Sequence, residues 1–386
     1  MISTGDYTDM MNSTSQLYPG GCDAAVDDGV MIDLSPYLEE YAPDYWNLVK
    51  DKEEYVKFFT TDEGRIVEFV PVVLNGYVDA GYILRQDWLD AVDMDVPTTY
   101  DELYEVLTAW KTELGKPNAL YINNLGVGNQ NSLTDGFGLA TVYDPMQSFY
   151  PYYVVDGEVK FAYEQDEFKD YLKMMAKWYK EDLVWKDFPT QPTVFSFAQS
   201  DAALSDFLNG KLGAVFGEIG DIKAKPKASN DPGMVLIGMP NPVKNKGEKT
   251  KITTSEPALQ GTWGVTTSCE KVELAVRYIN FWYTDVGAEL ANWGIEGEAF
   301  EWVNGERVWT ELMTNNPDGL DIKALSTIYI IDDGPFLNYA DKFLTMYSDE
   351  ERAASETWMS VRTGEWTYPG GAQLNLEESE LFATKF

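Results

Sequence analysis

At 386 residues the chain is too long for one ordinary core, so two lobes are expected. Its 64 acidic and 29 basic side chains give a formal net charge of −35, which argues against nucleic acid and anionic lipid as partners. The absence of histidine removes His-based triads, histidine–zinc sites and the usual general base near neutral pH.

The chain holds 24 Tyr and 12 Trp, more than packing alone usually needs. Aromatic faces bury the apolar face of a sugar while their polar tips stay wet, so some of these rings read as ligand platforms. No signal peptide and no apolar run long enough to span a membrane are visible. Cys22 and Cys269 lie far apart; a disulfide and two thiols are both open, and two free structural thiols are expected.

In chain order, Ser35-Pro36 starts a helix that Pro43 ends or kinks. Residues 66–74 are rich in Val, Ile and Phe and read as a strand, with Pro71 marking an edge, bulge or end. Tyr82 to Leu84 are apolar and β-prone, and a polar and aromatic cluster of Arg85, Asp87 and Trp88 follows. Thr99 with Glu102 is a capping box, and Leu103, Val106, Leu107 and Trp110 form one helical face behind it.

Residues 118–123 read as a short strand. Residues 123–132, including Gln130 and Asn131, are dense in Asn, Gln and Gly, and their amides suit neutral sugar hydroxyls. Asp156-Gly157 is a tight turn just after Tyr152. The next helix is expected to bury Phe168, Tyr171, Leu172, Met175 and Tyr179. Residues 207–218 read as helix end, turn and buried strand, with Glu218 and nearby Asp221 at its end. Residues 244–251 read as a solvated, mobile basic loop. In 260–265, glycines flank Trp263, and the following helix turns Val272, Ala275, Val276, Ile279 and Trp282 or Tyr283 inward. Residues 315–321 tempt a calcium reading. With Gly319 as the loop glycine, Thr314 and Leu325 fall at the two end positions, so the EF-hand motif fails; a looser calcium site stays open as the lesser alternative, and no cofactor is expected.

Three stretches carry a family resemblance. Tyr82-Ile83-Leu84-Arg85-Gln86-Asp87-Trp88-Leu89-Asp90 is followed by Pro97-Thr98-Thr99-Tyr100-Asp101-Glu102. Phe207-Leu208-Asn209-Gly210-Lys211-Leu212-Gly213-Ala214 is the second, and Gly294-Ile295-Glu296-Gly297 with Phe300 and Asn304-Gly305 is the third. Together they resemble the extracellular solute-binding proteins of bacterial ABC sugar importers, in the family-1 class that includes maltose-binding protein. Gln86 replaces a usual Lys, and Phe300 a usual Tyr.

The resemblance implies an α/β, two-lobed, periplasmic-binding-protein-like fold of type II, with lobes joined by hinge strands. It divides the chain into an N-terminal lobe of 1–80 plus 265–330 and a C-terminal lobe of 81–264 plus 331–386. The implied function is capture of a carbohydrate, an oligosaccharide in the first instance, in the interlobe cleft by a monomer that delivers it to the permease subunits. The candidate contacts are Trp263, Trp293, Glu296, Glu218, Asn131, Gln130, Arg85, Trp302 and Tyr152, none of them catalytic. The first residues match an internal family segment, so Met1 reads as an internal methionine. The resemblance then implies a preceding export signal, a lipid anchor at the extracellular membrane face, and a first strand whose loss leaves a gap or edge in the N-lobe sheet.

Two other readings use the same residues. A glycoside-processing enzyme would draw a carboxylate pair from the 64 available, but no spacing singles one out. A surface adhesin or sensor would use the fold without transport.

Overall fold

The computed structural model describes residues 7–12, 18–52, 55–56, 59–74, 78–126, 133–139, 152–155, 158–250, 261–320, 322–331, 334–339 and 341–361. The chain opens with strand β1 (Met10–Asn12) and helices α1 (Gly21–Asp27), α2 (Leu38–Tyr41) and α3 (Pro43–Val49). Strands β2 (Glu68–Phe69), β3 (Val72–Leu74) and β4 (Ala80–Arg85) lead into α4 (Gln86–Ala91) and α5 (Tyr100–Glu113). Hairpin β5 (Tyr152–Val155) and β6 (Glu158–Phe161) precedes α6 (Asp166–Lys180) and α7 (Asp201–Leu208). Then come β7 (Ala214–Glu218), α8 (Asp221–Ala228), β8 (Leu236–Met239) and β9 (Trp263–Val265). Helices α9 (Val272–Phe281) and α10 (Asp285–Trp293), strands β10 (Phe300–Val303) and β11 (Glu306–Trp309), α11 (Ile322–Tyr329), β12 (Leu337–Tyr339) and α12 (Asp349–Ser360) complete it.

Backbone contacts divide the chain into two compact units. Among the described residues, the first holds 7–74 and 261–346, and the second 78–250 and 347–361. The expected division ran through 80/81, 264/265 and 330/331. The main difference is residues 331–346, which lie with the first unit because β12 pairs in parallel with β3, Leu337 opposite Val72.

In the first unit, β9 lies between β1 and β2, antiparallel to both. The expected strand over 66–74 is two short strands broken at Val70 and Pro71, as a residue without an N–H requires. Gly264 sits in β9 where an added Cβ would lie 2.4 Å from Met31 Cε and 2.6 Å from the Val67 carbonyl oxygen, so only glycine fits. The core below holds Tyr45, whose ring centroid is 4.8 Å from Phe69 and 4.7 Å from Tyr283. The Tyr283 hydroxyl donates to Val70 O at 2.6 Å. Val276, Ile279 and Tyr283 are buried as their spacing predicts, while Val272, Ala275 and Trp282 are half-buried.

In the second unit, β4 is the centre strand, antiparallel to β7 and to β8. All six of its residues are buried. Alternation sends Ala80, Tyr82 and Leu84 into one core with Trp88, Trp110 and Tyr171, and Ile83 into another with Phe197, Phe207 and Trp358. Helix α12 packs on this second face against bare backbone: a Cβ on Gly81 would fall 2.5 Å from the Trp358 ring.

Helix α6 corrects one expectation. Tyr171, Met175 and Trp178 are its buried residues, whereas Leu172 and Tyr179 are exposed. Tyr171 and Met175 pack as expected, whereas Leu172 and Tyr179 each stand one position, about 100°, beyond a residue that packs, Tyr171 and Trp178. Thr250, at the end of the loop read as solvated, is fully buried and bonded to Val361 O through both its N–H and its hydroxyl. Neither Cys22 nor Cys269 forms a disulfide, and both are buried.

The capping box of α5 forms as read. Glu102 N donates to Thr99 Oγ1 at 3.2 Å, and Glu102 Oε2 accepts from Thr98 N at 2.8 Å, Thr98 Oγ1 at 2.7 Å and Thr99 N at 3.2 Å. These bonds, led by that from the Thr98 N–H, pull the Glu102 carboxyl down to about 2 from its ordinary 4.5. A depressed carboxyl stabilises the fold above pH 4.5, and that contribution disappears as pH falls to about 2. Urea titrations at a series of pH values should therefore show Glu102→Gln losing stability relative to the parent at pH 6 and converging with it near pH 2. Thr99→Ala should cost about 1 kcal/mol at neutral pH.

Candidate functional site

Each unit has an edge where the chain leaves it, and the polar and aromatic residues of interest gather there. In the second unit this edge holds the start of β4, the end of β7 and the start of α12. Ile219 N donates to Asp79 O at 2.6 Å, tying the two strand ends together. Glu218 N donates to Asp221 Oδ2 at 2.9 Å, and Asp221 also pairs with Lys225 Nζ at 3.1 Å. Val78 N donates to Ser355 Oγ at 3.2 Å. Helix α12 opens with a second capping box, Ser348 N donating to Glu351 Oε2 at 2.8 Å.

Tyr347 stands beside this box. Burial pushes its hydroxyl up to about 12, with the charges of Asp79, Glu351 and Glu218 adding to the effect. It therefore stays a neutral donor at any physiological pH. The edge offers one phenol and several carboxylate acceptors, a set that suits hydroxyl-bearing ligands. Glu218 is half-buried at the strand end, and Asp221 is a buried cap for the strand's last N–H, a structural task.

In the first unit the corresponding edge holds the start of β9. Trp263 is half-buried, opposite Asn12 on one side and Phe69 on the other. Its neighbour Thr262 is fully buried, and its hydroxyl has no hydrogen-bond partner among the described residues. A buried unpaired hydroxyl is uncommon and marks this edge as chemically unfinished. The edge of β12 is finished by Asn292. Its side-chain N–H donates to Leu337 O at 2.7 Å and its Oδ1 accepts from Tyr339 N at 2.9 Å, so one amide imitates a neighbouring strand.

Two of the expected ligand contacts are buried. Arg85 is 1% exposed. Its Nε donates to Asp87 Oδ1 at 2.8 Å, and its Nη2 to Asp87 Oδ2 at 2.5 Å and Asp231 Oδ2 at 2.9 Å. The guanidinium lies 4.6 Å from the Trp88 ring centre. Trp293 is 5% exposed and stacks on Trp309 with centroids 4.5 Å apart. Their partners lie inside the protein. Glu296 is exposed in the turn before β10, and Trp302 is exposed on that strand. Tyr152 pairs through its backbone with Phe161 across the β5–β6 hairpin; its side chain, like Gln130 and Asn131, lies outside the described residues.

A sequence profile described as bacterial extracellular solute-binding protein matches residues 1–295. The chain belongs to this family. As a solute-binding protein it is 26% identical over 322 residues to the polygalacturonan/rhamnogalacturonan-binding protein YtcQ of Bacillus subtilis strain 168, covering 81% of this chain and 61% of YtcQ. It is 24% identical over 322 residues to the fructooligosaccharide ABC transporter substrate-binding protein FusA of Streptococcus pneumoniae serotype 4, covering 77% of this chain and 54% of FusA. The chain thus spans less than two thirds of the length of these curated relatives. A solved extracellular solute-binding protein from Bifidobacterium longum subsp. infantis superposes with a TM-score of 0.71 at 20% identity, over 99% of this chain and 78% of that one. The fold is therefore the α/β, two-domain, type II solute-binding architecture.

For a solute-binding protein of this kind, Trp263 and Glu218 at the two edges remain candidates from the sequence, while Thr262 and Asn292 come into view only in the structure. Thr262 carries no motif. Asn292 matters only through the β12 backbone that it bonds. Among the described residues, no group of carboxylates or thiols is placed to hold a metal ion, and no helix is long and apolar enough to cross a membrane.

The division between edge and core has a direct test. Trp263→Ala should weaken ligand binding about tenfold, the scale of one lost aromatic platform. Trp293→Ala should cost about 3–5 kcal/mol of stability through the cavity it leaves. Paired titrations and melting curves check both; a binding loss confined to Trp293→Ala would reverse the assignment.

Proposed function

We propose that this protein is the ligand-capturing component of a bacterial ABC importer, that its ligand is a carbohydrate of more than one unit, and that it hands this ligand to membrane permease subunits. The observation that carries the reading is the family match over residues 1–295. It is supported by the chemistry of the two edges, a half-buried indole beside a buried hydroxyl on one and carboxylates with a neutral phenol on the other. YtcQ is a polygalacturonan/rhamnogalacturonan-binding protein and FusA a fructooligosaccharide-binding one, both glycan binders by name.

The reading is of a binder acting as a monomer, without a catalytic step. It works at the extracellular face of the cell membrane. A net charge of −35 repels anionic lipid, so a lipid anchor is the proposed means of retention. A thermal-shift screen over neutral and acidic mono- and oligosaccharides tests the central point: at least one oligosaccharide should raise the melting temperature in proportion to its concentration. New reducing ends appearing during the incubation would contradict the non-catalytic reading.

A further inference from the structure

The hairpin of β10 and β11 in the first unit carries side chains that no part of the core requires. It closes through Asn304-Gly305, both with positive φ (55° and 87°), the pair that a two-residue hairpin turn demands. Phe300 pairs with Trp309 and Trp302 with Arg307, so these four share one face. Phe300 and Trp309 are buried at the root of that face, whereas Trp302, beyond them, is 45% exposed.

Trp302 is held in place. Its ring meets Phe300 edge-on at 6.2 Å. The Arg307 guanidinium lies 4.4 Å from the Trp302 ring centre and 5.8 Å from that of Trp293, between two indoles. Arg307 is fixed in turn by Glu289 on α10, its Nε and Nη2 donating to the same oxygen, Oε2, at 3.1 and 2.7 Å. Among the described residues, neither Nη1 of Arg307 nor Oε1 of Glu289 makes a hydrogen bond. The opposite face of the hairpin alternates Glu301 and Val303 against Val308 and Glu306, a mixed surface without aromatics.

An immobilised, half-exposed indole beside one unused donor and one unused acceptor is the recognition set for a sugar ring. The apolar C–H face of the ring lies on the indole, and its rim hydroxyls find the donor and acceptor. A protein partner would favour a contiguous apolar patch, and here the indole is bordered by charge. We infer that Trp302, Arg307 and Glu289 form a saccharide-binding platform on this hairpin, separate from the strand-end edges of the proposed function. The inference rests on that reading in one respect, that the protein's ligands are glycans.

The test uses the full chain and titrates the oligosaccharides found by the thermal-shift screen, together with longer oligomers of the same repeat. Trp302→Ala should lower affinity for at least one of them about fivefold to tenfold, as removal of one stacking platform does. Trp302→Phe should keep most of the affinity, and Arg307→Gln should lose a similar amount. Melting temperature should hardly move for Trp302→Ala, because the ring is nearly half exposed. Unchanged affinity of Trp302→Ala for every glycan that the parent binds would overturn the platform while leaving the solute-binding reading intact. A parent that binds none of the glycans would overturn both.

Discussion

Replacing Trp358 with alanine should destabilise the second unit by about 3–5 kcal/mol, the range for deleting a fully buried aromatic side chain. Trp358 is 0% exposed, and its indole N–H donates to Tyr82 O at 2.9 Å in the middle of β4. The ring occupies the space that Gly81 leaves by having no side chain, and one turn away Ala354 sits against the backbone of Gly238. Helix α12 is thus seated on two glycines of adjacent strands, and Trp358 fills the larger of the two gaps. Alanine there opens a cavity and leaves the helix without its deepest contact. The converse change, Gly81→Ala, should be comparably damaging, since the new methyl would stand 2.5 Å from a ring with nowhere to move. Urea unfolding followed by tryptophan fluorescence checks both, and a loss below about 1 kcal/mol for Trp358→Ala would show that α12 is not held this way.

Arg85→Ala should cost a similar amount, about 3–5 kcal/mol, for a different reason. The guanidinium is buried, and its removal strands Asp87 and Asp231, 25% and 29% exposed, without their shared counter-charge. Asp87 also accepts Val235 N at 3.1 Å, so the pair joins the end of β4 to the entrance of β8. The ring face of Trp88 loses its cation in the same step. Because the arginine is buried, the loss should change little between low and high salt. A cycle with Asp231→Asn should show that the two substitutions are not additive. Glycan affinity per folded molecule should be unaffected. A variant of unchanged stability with weakened binding would return Arg85 to the ligand site.

Local chemistry was readable in the sequence; distant partnership was not. The capping box at Thr99 and Glu102 and the buried face from Leu103 to Trp110 depend on neighbours within two helical turns, and both form as read. The break at Pro71 follows from one missing N–H. In α6, Tyr171-Leu172 and Trp178-Tyr179 are adjacent apolar pairs, so two helix faces look equally good, and only the surrounding core selects Tyr171 and Trp178. The burial of Arg85 against Asp231 and of Trp293 against Trp309 joins separate elements, and no local pattern announces either pairing. The placement of residues 331–346 in the first unit depends on a parallel pairing of β12 with β3 that no local pattern announces. At the candidate edges, Trp263 and Glu218 are legible as candidates because each begins or ends a strand next to a recognisable family segment. Thr262 became visible only through its burial.

The most direct measurement is an equilibrium titration by calorimetry, using the oligosaccharide that gives the largest thermal shift, on the parent and on Trp263→Ala. Saturable binding by the parent, no release of new reducing ends, and about tenfold weaker binding by the variant at nearly unchanged melting temperature are expected. Absence of saturable binding to any oligosaccharide, with the protein folded throughout, would contradict the proposed function.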